Sequence, residues 1–236
     1  MRIIVVEDYQ ELSRWAAHFV AGLVRGNPNC VLGLPTGSTP VGMYKEIVRM
    51  HQKGLDLKAI QTFNLDEYVG LAPDHPESYH YFMYRHLFNH VNVTQDRLIF
   101  PDGMTPDFNQ ECVHYEDMIQ DAGGIDLMIL GLGPNGHIGF NEPDSQLGTK
   151  THVVELTSET IQANARFFPD ADHVPRRAVT MGVGSIMQAQ EILLLVSGNA
   201  KRDVLRKALF GEVTTAVPAS ILQLHPHLVV ITDFPV

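Results

Sequence analysis

The amino-acid sequence predicts an α/β fold: a single-domain, doubly wound, mostly parallel sheet with helices on both faces, of the Rossmann-like kind. Short runs rich in Val, Ile and Leu alternate with longer amphipathic stretches along the whole chain. Most of these runs are apolar at consecutive positions, which is typical of strands covered on both faces. The length of 236 residues suits one domain spanning residues 1–236, because α/β folds routinely reach about 200–250 residues in one piece.

Strand and helix patterns follow one another in order. Asp8 can cap the first helix and Pro40 can open the second. This alternation favours right-handed crossovers and therefore parallel strands. The predicted strands are Ile3–Val6, Val31–Leu34, Thr62–Leu65, Leu98–Phe100, Asp126–Leu130, Val153–Leu156, Ile192–Val196 and Leu228–Thr232. The predicted helices are Tyr9–Val24, Pro40–Gly54, Tyr79–His90, Asn109–Asp121, Ser158–Arg166 and Asn199–Phe210.

Composition argues against several classes of function. The chain has 17 Lys and Arg against 27 Asp and Glu, a net charge of −10, which disfavours a nucleic-acid partner because phosphate backbones select basic faces. No stretch approaches the roughly 18 apolar residues of a membrane span, so we expect no membrane partner. Cys30 and Cys112 lack a disulfide or metal-binding spacing, and the apolar run after Met1 is too short for a signal peptide. We therefore expect a cytoplasmic location.

Four loops that follow predicted strands are candidates for a functional site, since doubly wound sheets bind ligands outside the carboxyl ends of their strands. The first, Gly33–Pro40, offers backbone N–H groups, hydroxyls and a helix start, which suit a phosphate. It lacks the lysine and the spacing of a nucleotide-binding P-loop. An ordinary capped turn is the alternative interpretation.

The second loop, Asn64–Tyr68, places two carboxylates directly after a strand, where a general base could lie. Adjacent residues of an extended chain point in opposite directions, so we expect only one of Asp66 and Glu67 to face the site. The alternative is that these carboxylates cap a helix or a turn.

The third loop, Gly131–Pro143, begins with the pattern G-x-G-x-x-G, and Glu155 follows at a distance that suits a dinucleotide site. That interpretation requires a helix to begin at the glycines. Gly139 and Pro143 oppose such a helix. A nicotinamide-dependent dehydrogenase is therefore only a weak alternative.

The same loop brings Asn135, His137 and Glu142 close together in sequence. Histidine titrates near neutral pH, and a neighbouring carboxylate can orient its ring and favour its charged form. This pattern favours acid–base chemistry over the alternative, a surface histidine without a role.

The fourth loop carries Lys201 in the first turn of a predicted helix, where a cation is unfavourable unless an anion binds nearby. Arg166 is a second isolated cation, and solvation alone could explain either one. The 12 histidines show no metal-ligand spacing, so we expect no metal site.

Five segments carry a more specific pattern: Gly33–Pro40 (GLPTGSTP), Thr62–Gly70 (TFNLDEYVG), His75–Tyr79 (HPESY), Asn135–Pro143 (NGHIGFNEP) and Leu222–Pro226 (LQLHP). Together they resemble the glucosamine-6-phosphate deaminase family, in the family's order and over nearly the whole chain. The resemblance implies an enzyme that converts D-glucosamine 6-phosphate and water to D-fructose 6-phosphate and ammonia, with no metal or other cofactor.

The resemblance also implies roles for individual residues. Asp66 matches the base that moves a proton from C2 towards C1. His137 matches the group that opens the pyranose ring, with Glu142 and Asn135 as its partners. The phosphate-binding positions of the family match Gly37, Ser38, Thr39, Arg166 and Lys201.

The chain departs from the family at two places. Some members have Asp where this chain has Asn135, so the network around His137 lacks one charge and its pH profile is expected to differ. Regulated members bind N-acetylglucosamine 6-phosphate through cations at positions that align with His152 and Val154, and the sequence ends at Val236 without a longer extension. We expect no such activation, and a monomer or simple homo-oligomer.

Two other functions use related folds. A 6-phosphogluconolactonase would need the same phosphate contacts but no enolising base, so the intact Asn64–Gly70 segment favours the deaminase. A non-catalytic sugar-phosphate sensing domain of a transcription regulator would add a helix-turn-helix and a basic face. The segment Asn164–His173 is the predicted lid over the sugar, because it joins Arg166 to two aromatic residues and a polar stretch interrupted by proline.

Overall fold

The computed structural model describes the backbone of residues 1–236 and all side chains except those of Ala163, Phe167 and Ala171. The strands are β1 (Arg2–Val5), β2 (Val31–Leu34), β3 (Gln61–Asn64), β4 (Asp66–Tyr68), β5 (Leu98–Ile99), β6 (Leu127–Gly131), β7 (His152–Glu155), β8 (Arg177–Thr180), β9 (Glu191–Val196) and β10 (Leu228–Thr232). The helices are α1 (Tyr9–Gly26), α2 (Val41–Gln52), α3 (Tyr79–His86), α4 (Phe108–Asp121), α5 (Ser158–Asn164), α6 (Val183–Met187) and α7 (Arg202–Phe210).

A seven-stranded sheet in the order β1-β10-β9-β6-β2-β3-β5 forms the centre of the protein, and its strand pairings are parallel. Alternate residues of each strand face opposite sides. In β9, Leu193 and Leu195 pack with helices α1, α2 and α3, whereas Ile192, Leu194 and Val196 pack with α4, α6 and α7. The consecutive apolar residues of these strands thus fill two cores, and the predicted fold class is confirmed.

Helices α1 and α3 begin where the sequence supplies a capping side chain. Asp8 accepts a hydrogen bond from the N–H of Glu11 at the start of α1, and Ser78 accepts one from the N–H of Tyr81 at the start of α3. None of the helices in the described part of the chain is both long enough and apolar enough to cross a membrane.

A second, three-stranded sheet differs from the sequence prediction. Its order is β4-β8-β7, and both of its pairings are antiparallel. The strand predicted at Val153–Leu156 lies in this small sheet, as β7, and not in the parallel sheet. The small sheet also includes the loop residues Asp66–Tyr68, as β4, and the unpredicted strand β8. These strands are only three or four residues long, and the polar side chains of β4 and the first residue of β8 hide the apolar pattern by which a strand is recognised.

Leu65 joins the two sheets. Its N–H donates to the carbonyl of Leu34 in β2, and its own carbonyl accepts from the N–H of Met181, which follows β8. The small sheet therefore extends from the carboxyl end of β3, the edge at which a doubly wound sheet binds ligands.

Candidate functional site

A cleft of about 220 Å³ opens at the carboxyl ends of the parallel strands. It collects the loops after β2, β3, β6 and β9, because the parallel strands end at one edge of the sheet. Helix α5 and the turn after it contribute the remaining wall. Of the predicted site residues, Gly37, Ser38, Thr39, Asp66, Asn135, His137, Arg166 and Lys201 line the cleft, and Glu142 is hydrogen-bonded to Asn135.

The loop after β2 forms one end of the cleft. Gly37 has a φ of +92°, which a residue with a side chain rarely adopts. The hydroxyl of Tyr9 in α1 lies 3.0 Å from the carbonyl oxygens of Ser38 and Thr39 and accepts from the N–H of Gly42 at 2.9 Å. Tyr9 thus fixes the loop from outside the cleft, a role that the sequence pattern did not reveal.

Two cations face the same end of the cleft. Burial lowers the pKa of Lys201, and the charge of Arg166 lowers it further. The Lys201 ammonium donates a hydrogen bond of 2.5 Å to the carbonyl of Leu132. Two like charges held near each other favour the binding of an anion between them, as expected for a phosphate.

Asp66 lies on β4 and has 7% of its surface exposed. Burial raises the pKa of its carboxyl group to about 8, and the nearby charge of Glu67 adds to this effect. Its Oδ2 atom lies 3.5 Å from the position that a Cβ would take on Gly139 of the β6 loop. A carboxylate with so high a pKa is a strong proton acceptor at the wall of the cleft.

Glu67 points away from the cleft. Its carboxylate accepts hydrogen bonds from the backbone N–H groups of Tyr68, Tyr79 and His80, at 2.8, 3.0 and 2.9 Å. Burial raises its pKa to about 7 despite these three donors. The expectation that only one carboxylate faces the site is confirmed, and the alternative role as a helix cap applies to Glu67.

The loop after β6 forms a network of three side chains. The Asn135 Oδ1 atom lies 3.2 Å from the backbone N–H of His137 and 2.8 Å from its Nδ1 atom. Because a backbone N–H can only donate, the amide oxygen must face His137, and the Asn135 NH₂ group donates to Glu142 Oε2 at 2.7 Å. His137 therefore carries a proton on Nδ1, and its Nε2 is left to exchange protons with a ligand.

Glu142 is nearly buried beside this histidine, with Oε2 3.3 Å from His137 Nδ1. Burial by itself would raise the pKa of Glu142. Hydrogen bonds from His137, Thr160 and Asn135, together with the charge that His137 can carry, outweigh burial and lower it. The carboxylate is therefore ionised at neutral pH and can stabilise a protonated imidazole.

Gly133 explains one of the glycines that mimic a dinucleotide motif. A Cβ on this residue would lie 2.3 Å from the His137 ring. The residues from 132 to 144 contain turns and one isolated bridge between Ile138 and Asn141, with no helix among them. The glycine makes room for an imidazole, and the helix that a dinucleotide site requires is missing from this segment.

An aromatic cluster lies beside Asp66. The Tyr79 ring stacks on Phe140 with an interplanar angle of 8°, and both residues line the cleft. Asn164 at the end of α5 donates a hydrogen bond of 2.8 Å to the Tyr68 hydroxyl. Tyr79 belongs to the segment HPESY, one of the five that carry the family resemblance.

The predicted lid, Asn164–His173, begins at the wall of the cleft with Asn164 and Arg166. Its backbone forms two short 3₁₀ turns, Ala165–Phe167 and Ala171–His173. The side chains of Phe167 and Ala171 lie outside the described residues, and the closing motion remains a prediction.

Comparison with known proteins places the chain among sugar-phosphate enzymes. A family model described as glucosamine-6-phosphate isomerases/6-phosphogluconolactonase matches residues 7–230. The glucosamine-6-phosphate deaminase of Thermoanaerobacter pseudethanolicus is 53% identical over 234 residues, which cover 99% of this chain and 92% of that protein.

Two solved structures extend the comparison. One, described as a monomeric glucosamine-6-phosphate deaminase, is 43% identical, has a TM-score of 0.96 and is matched over 98% of this chain and 97% of its own. The 6-phosphogluconolactonase of Thermotoga maritima is 20% identical with a TM-score of 0.77, covers 98% of both chains and shares the fold. The match of the family model over almost all of the sequence establishes that the chain belongs to the glucosamine-6-phosphate isomerase and 6-phosphogluconolactonase family.

Proposed function

We propose that this protein is a glucosamine-6-phosphate deaminase, which converts D-glucosamine 6-phosphate and water to D-fructose 6-phosphate and ammonia. The observation that carries this proposal is one cleft with a strong carboxylate base, a hydrogen-bonded histidine and a pair of cations. The names of the relatives at 53% and 43% identity support the same activity.

The phosphate of the substrate binds at the loop after β2 in this proposal. The backbone N–H groups of this loop and the hydroxyls of Ser38 and Thr39 surround it, with Gly37 at the turn. Arg166 and Lys201 neutralise its charge. This contact lies away from the reacting carbons, so its binding energy serves to position the sugar.

Ring opening comes first and depends on His137. Its Nε2 accepts the proton of the C1 hydroxyl and delivers it to the ring oxygen as the bond between C1 and the ring oxygen breaks, which produces the open-chain aldehyde. Asn135 and Glu142 hold Nδ1 in its protonated state and stabilise the positive charge that develops on the ring.

Asp66 then removes the proton from C2 of the aldehyde while the C2 ammonium group gives a proton to O1, which leaves an enol at C1 with a neutral amine on C2. Return of the proton to C1 converts this intermediate to a C2 imine. Water adds to C2 of the imine and ammonia leaves, which yields fructose 6-phosphate. The raised pKa of Asp66 brings its basicity closer to that required for the weakly acidic C2 proton.

The direct test is incubation of the purified protein with glucosamine 6-phosphate while ammonia and fructose 6-phosphate are measured together. Equal amounts of both products support the proposal. Neither product, with binding of the sugar phosphate still detected, would favour a lactonase or a sensing domain.

His137→Gln is expected to lower kcat about 10²- to 10⁴-fold, the usual contribution of a general acid or base. The defect should be much smaller with the 4,5-dideoxy analogue of the substrate, which lacks the hydroxyls that close the six-membered and the five-membered ring. Steady-state rates with both compounds make the comparison. An equal defect on both substrates would remove His137 from ring opening.

Lys201→Met is expected to raise KM for glucosamine 6-phosphate by about 10- to 100-fold, because one charge-assisted contact to the phosphate is lost. Lys207→Met on the same helix is the control, since Lys207 is exposed and lies outside the cleft. Initial rates over a range of substrate concentration separate KM from kcat. An unchanged KM would contradict the phosphate assignment.

The proposal includes a cytoplasmic location and a monomer or simple homo-oligomer. The deaminase of known structure that is described as monomeric supports the latter. It also includes the absence of activation by N-acetylglucosamine 6-phosphate, whose binding positions in regulated relatives align with His152 and Val154. A sigmoidal rate curve that this compound makes hyperbolic would contradict that part.

A further inference from the structure

Helix α5 brings one buried hydroxyl to the His137 network. Thr160 is 5% exposed, and its Oγ1 donates a hydrogen bond to Glu142 Oε1. Thr157, the N-cap of the helix, accepts from the N–H of Thr160 at 3.2 Å and so fixes the start of the helix next to this contact. The hydroxyl of Thr160 is thus held towards Glu142 by the fold of α5.

The two oxygens of Glu142 have separate partners. Oε1 accepts from Thr160, whereas Oε2 accepts from the Asn135 amide and faces His137 Nδ1. A carboxylate that is held at both oxygens cannot rotate about its last bond without losing a hydrogen bond in a buried place. The cost of leaving a buried acceptor unpaired therefore fixes the orientation of Oε2 towards the histidine.

We propose that Thr160 is a positioning residue for ring opening, which holds the Glu142 carboxylate in place against Asn135 and His137. This inference rests on the proposed function, because it assigns Thr160 to the ring-opening step of that reaction. Thr160 acts through Glu142 and transfers no proton itself.

The consequence for charge follows from the partners of Glu142. Burial opposes ionisation of Glu142, and hydrogen bonds, that of Thr160 among them, reverse this effect and lower its pKa. Loss of the Thr160 hydroxyl should raise the pKa of Glu142. At a pH where Glu142 then takes up a proton, the imidazolium of His137 loses its counter-charge and ring opening slows.

Other ionisable groups near the cleft remain the same when Thr160 is replaced. They are Asp66 on β4, Glu159 on α5, and the cations Arg166 and Lys201. A shift of the pH profile that appears only on loss of the Thr160 hydroxyl therefore reports on the Glu142 network.

The experiment compares Thr160→Val, which keeps the shape and loses the hydroxyl, with Thr160→Ser, which keeps the hydroxyl. For the valine variant we expect kcat for glucosamine 6-phosphate to fall about 10- to 100-fold, with little change in KM. The break that Glu142 adds to the acid side of the kcat profile, below the one that Asp66 sets, should move to higher pH. The serine variant should restore kcat and the pH profile. With the 4,5-dideoxy analogue, the valine variant should approach the wild-type rate.

Ser158→Gly is the matched control, because glycine weakens the same helix and the exposed Ser158 side chain has no part in the contact with Glu142. It should lower the melting temperature without moving that break. The inference is overturned if Thr160→Val keeps the wild-type pH profile, or if Ser158→Gly moves that profile equally. The wild-type protein in the same assay tests the proposed function separately. If the proposed function is wrong, the wild-type protein also forms no ammonia and no fructose 6-phosphate.

Discussion

Asp66→Asn is expected to lower kcat for glucosamine 6-phosphate by about 10²- to 10⁴-fold with little change in KM, because an amide cannot accept the C2 proton. The shape of the side chain and the phosphate contacts remain. Steady-state kinetics give the two constants, and the incorporation of solvent deuterium at C1 of fructose 6-phosphate follows proton transfer directly. Asp74→Asn is a suitable control, because Asp74 is an exposed carboxylate only eight positions away. Near-normal turnover by the Asp66 variant would remove this residue from the role of base.

The raised pKa of Asp66 has two further consequences for the wild-type protein. In the wild-type protein, kcat/KM should fall as the pH drops below about 8, since protonation removes the base. In addition, the pKa of this residue lies near 3.8 in the unfolded chain. The folded protein therefore binds the proton of Asp66 more tightly than the unfolded chain does. The contribution of Asp66 to the stability of the wild-type protein should therefore decrease as the pH rises from about 4 through about 8.

Asp66→Asn removes the cost of ionising this buried carboxyl group. Its free energy of unfolding should exceed that of the wild type above pH 8 by an amount on the order of a few kcal/mol, and the two should converge near pH 4. Urea unfolding at pH 5, 7 and 9 measures the difference. A gap that does not grow with pH would mean that Asp66 is not the buried group that the fold describes.

Gly133→Ala is expected to lower kcat by about 10²-fold or more, because a methyl group there would lie 2.3 Å from the Cε1 and Nε2 atoms of His137. Either the ring or the loop must move, and a displacement of about 1 Å is enough to cost that factor. Gly22→Ala in helix α1 is the control, since nothing lies within 4 Å of the Cβ that it would add and Gly22 is outside the cleft.

Kinetics and thermal melting of both alanine variants separate a local effect from general unfolding. We expect both proteins to fold and only the Gly133 variant to lose turnover. If Gly133→Ala and Gly22→Ala behave alike, the close contact with the His137 ring has no functional importance.

The parallel sheet could be predicted from the sequence because most of its strands are continuous apolar runs between loops. The antiparallel sheet could not, since β4 consists of the polar residues Asp66 and Glu67 followed by Tyr68, and only its pairing with β8 makes it a strand. A pairing between residues more than a hundred positions apart leaves no local pattern in a single sequence.

The candidate site shows the same division. Loop composition and a family resemblance pointed to Asp66, His137 and Lys201, and the structure brings these residues into one cleft. Thr160 and Tyr9 were not predicted, because each acts through a contact with a residue from another part of the chain. A threonine within a helix and a tyrosine near a helix start have no chemical pattern that distinguishes them from ordinary packing residues.

The pairing of β2 with β3 fixes where the loop after β2 and the segment that carries Asp66 begin. Leu34 and Asn64 are paired at the ends of these two strands, so the loop proposed to bind phosphate and the base that follows Leu65 start about one strand spacing apart, near 4.8 Å. Leu65 is hydrogen-bonded to residues of both sheets, which fixes the backbone beside the base. The separation between the loop proposed to bind phosphate and the base is therefore set by backbone hydrogen bonds of the paired strands and not by their side chains.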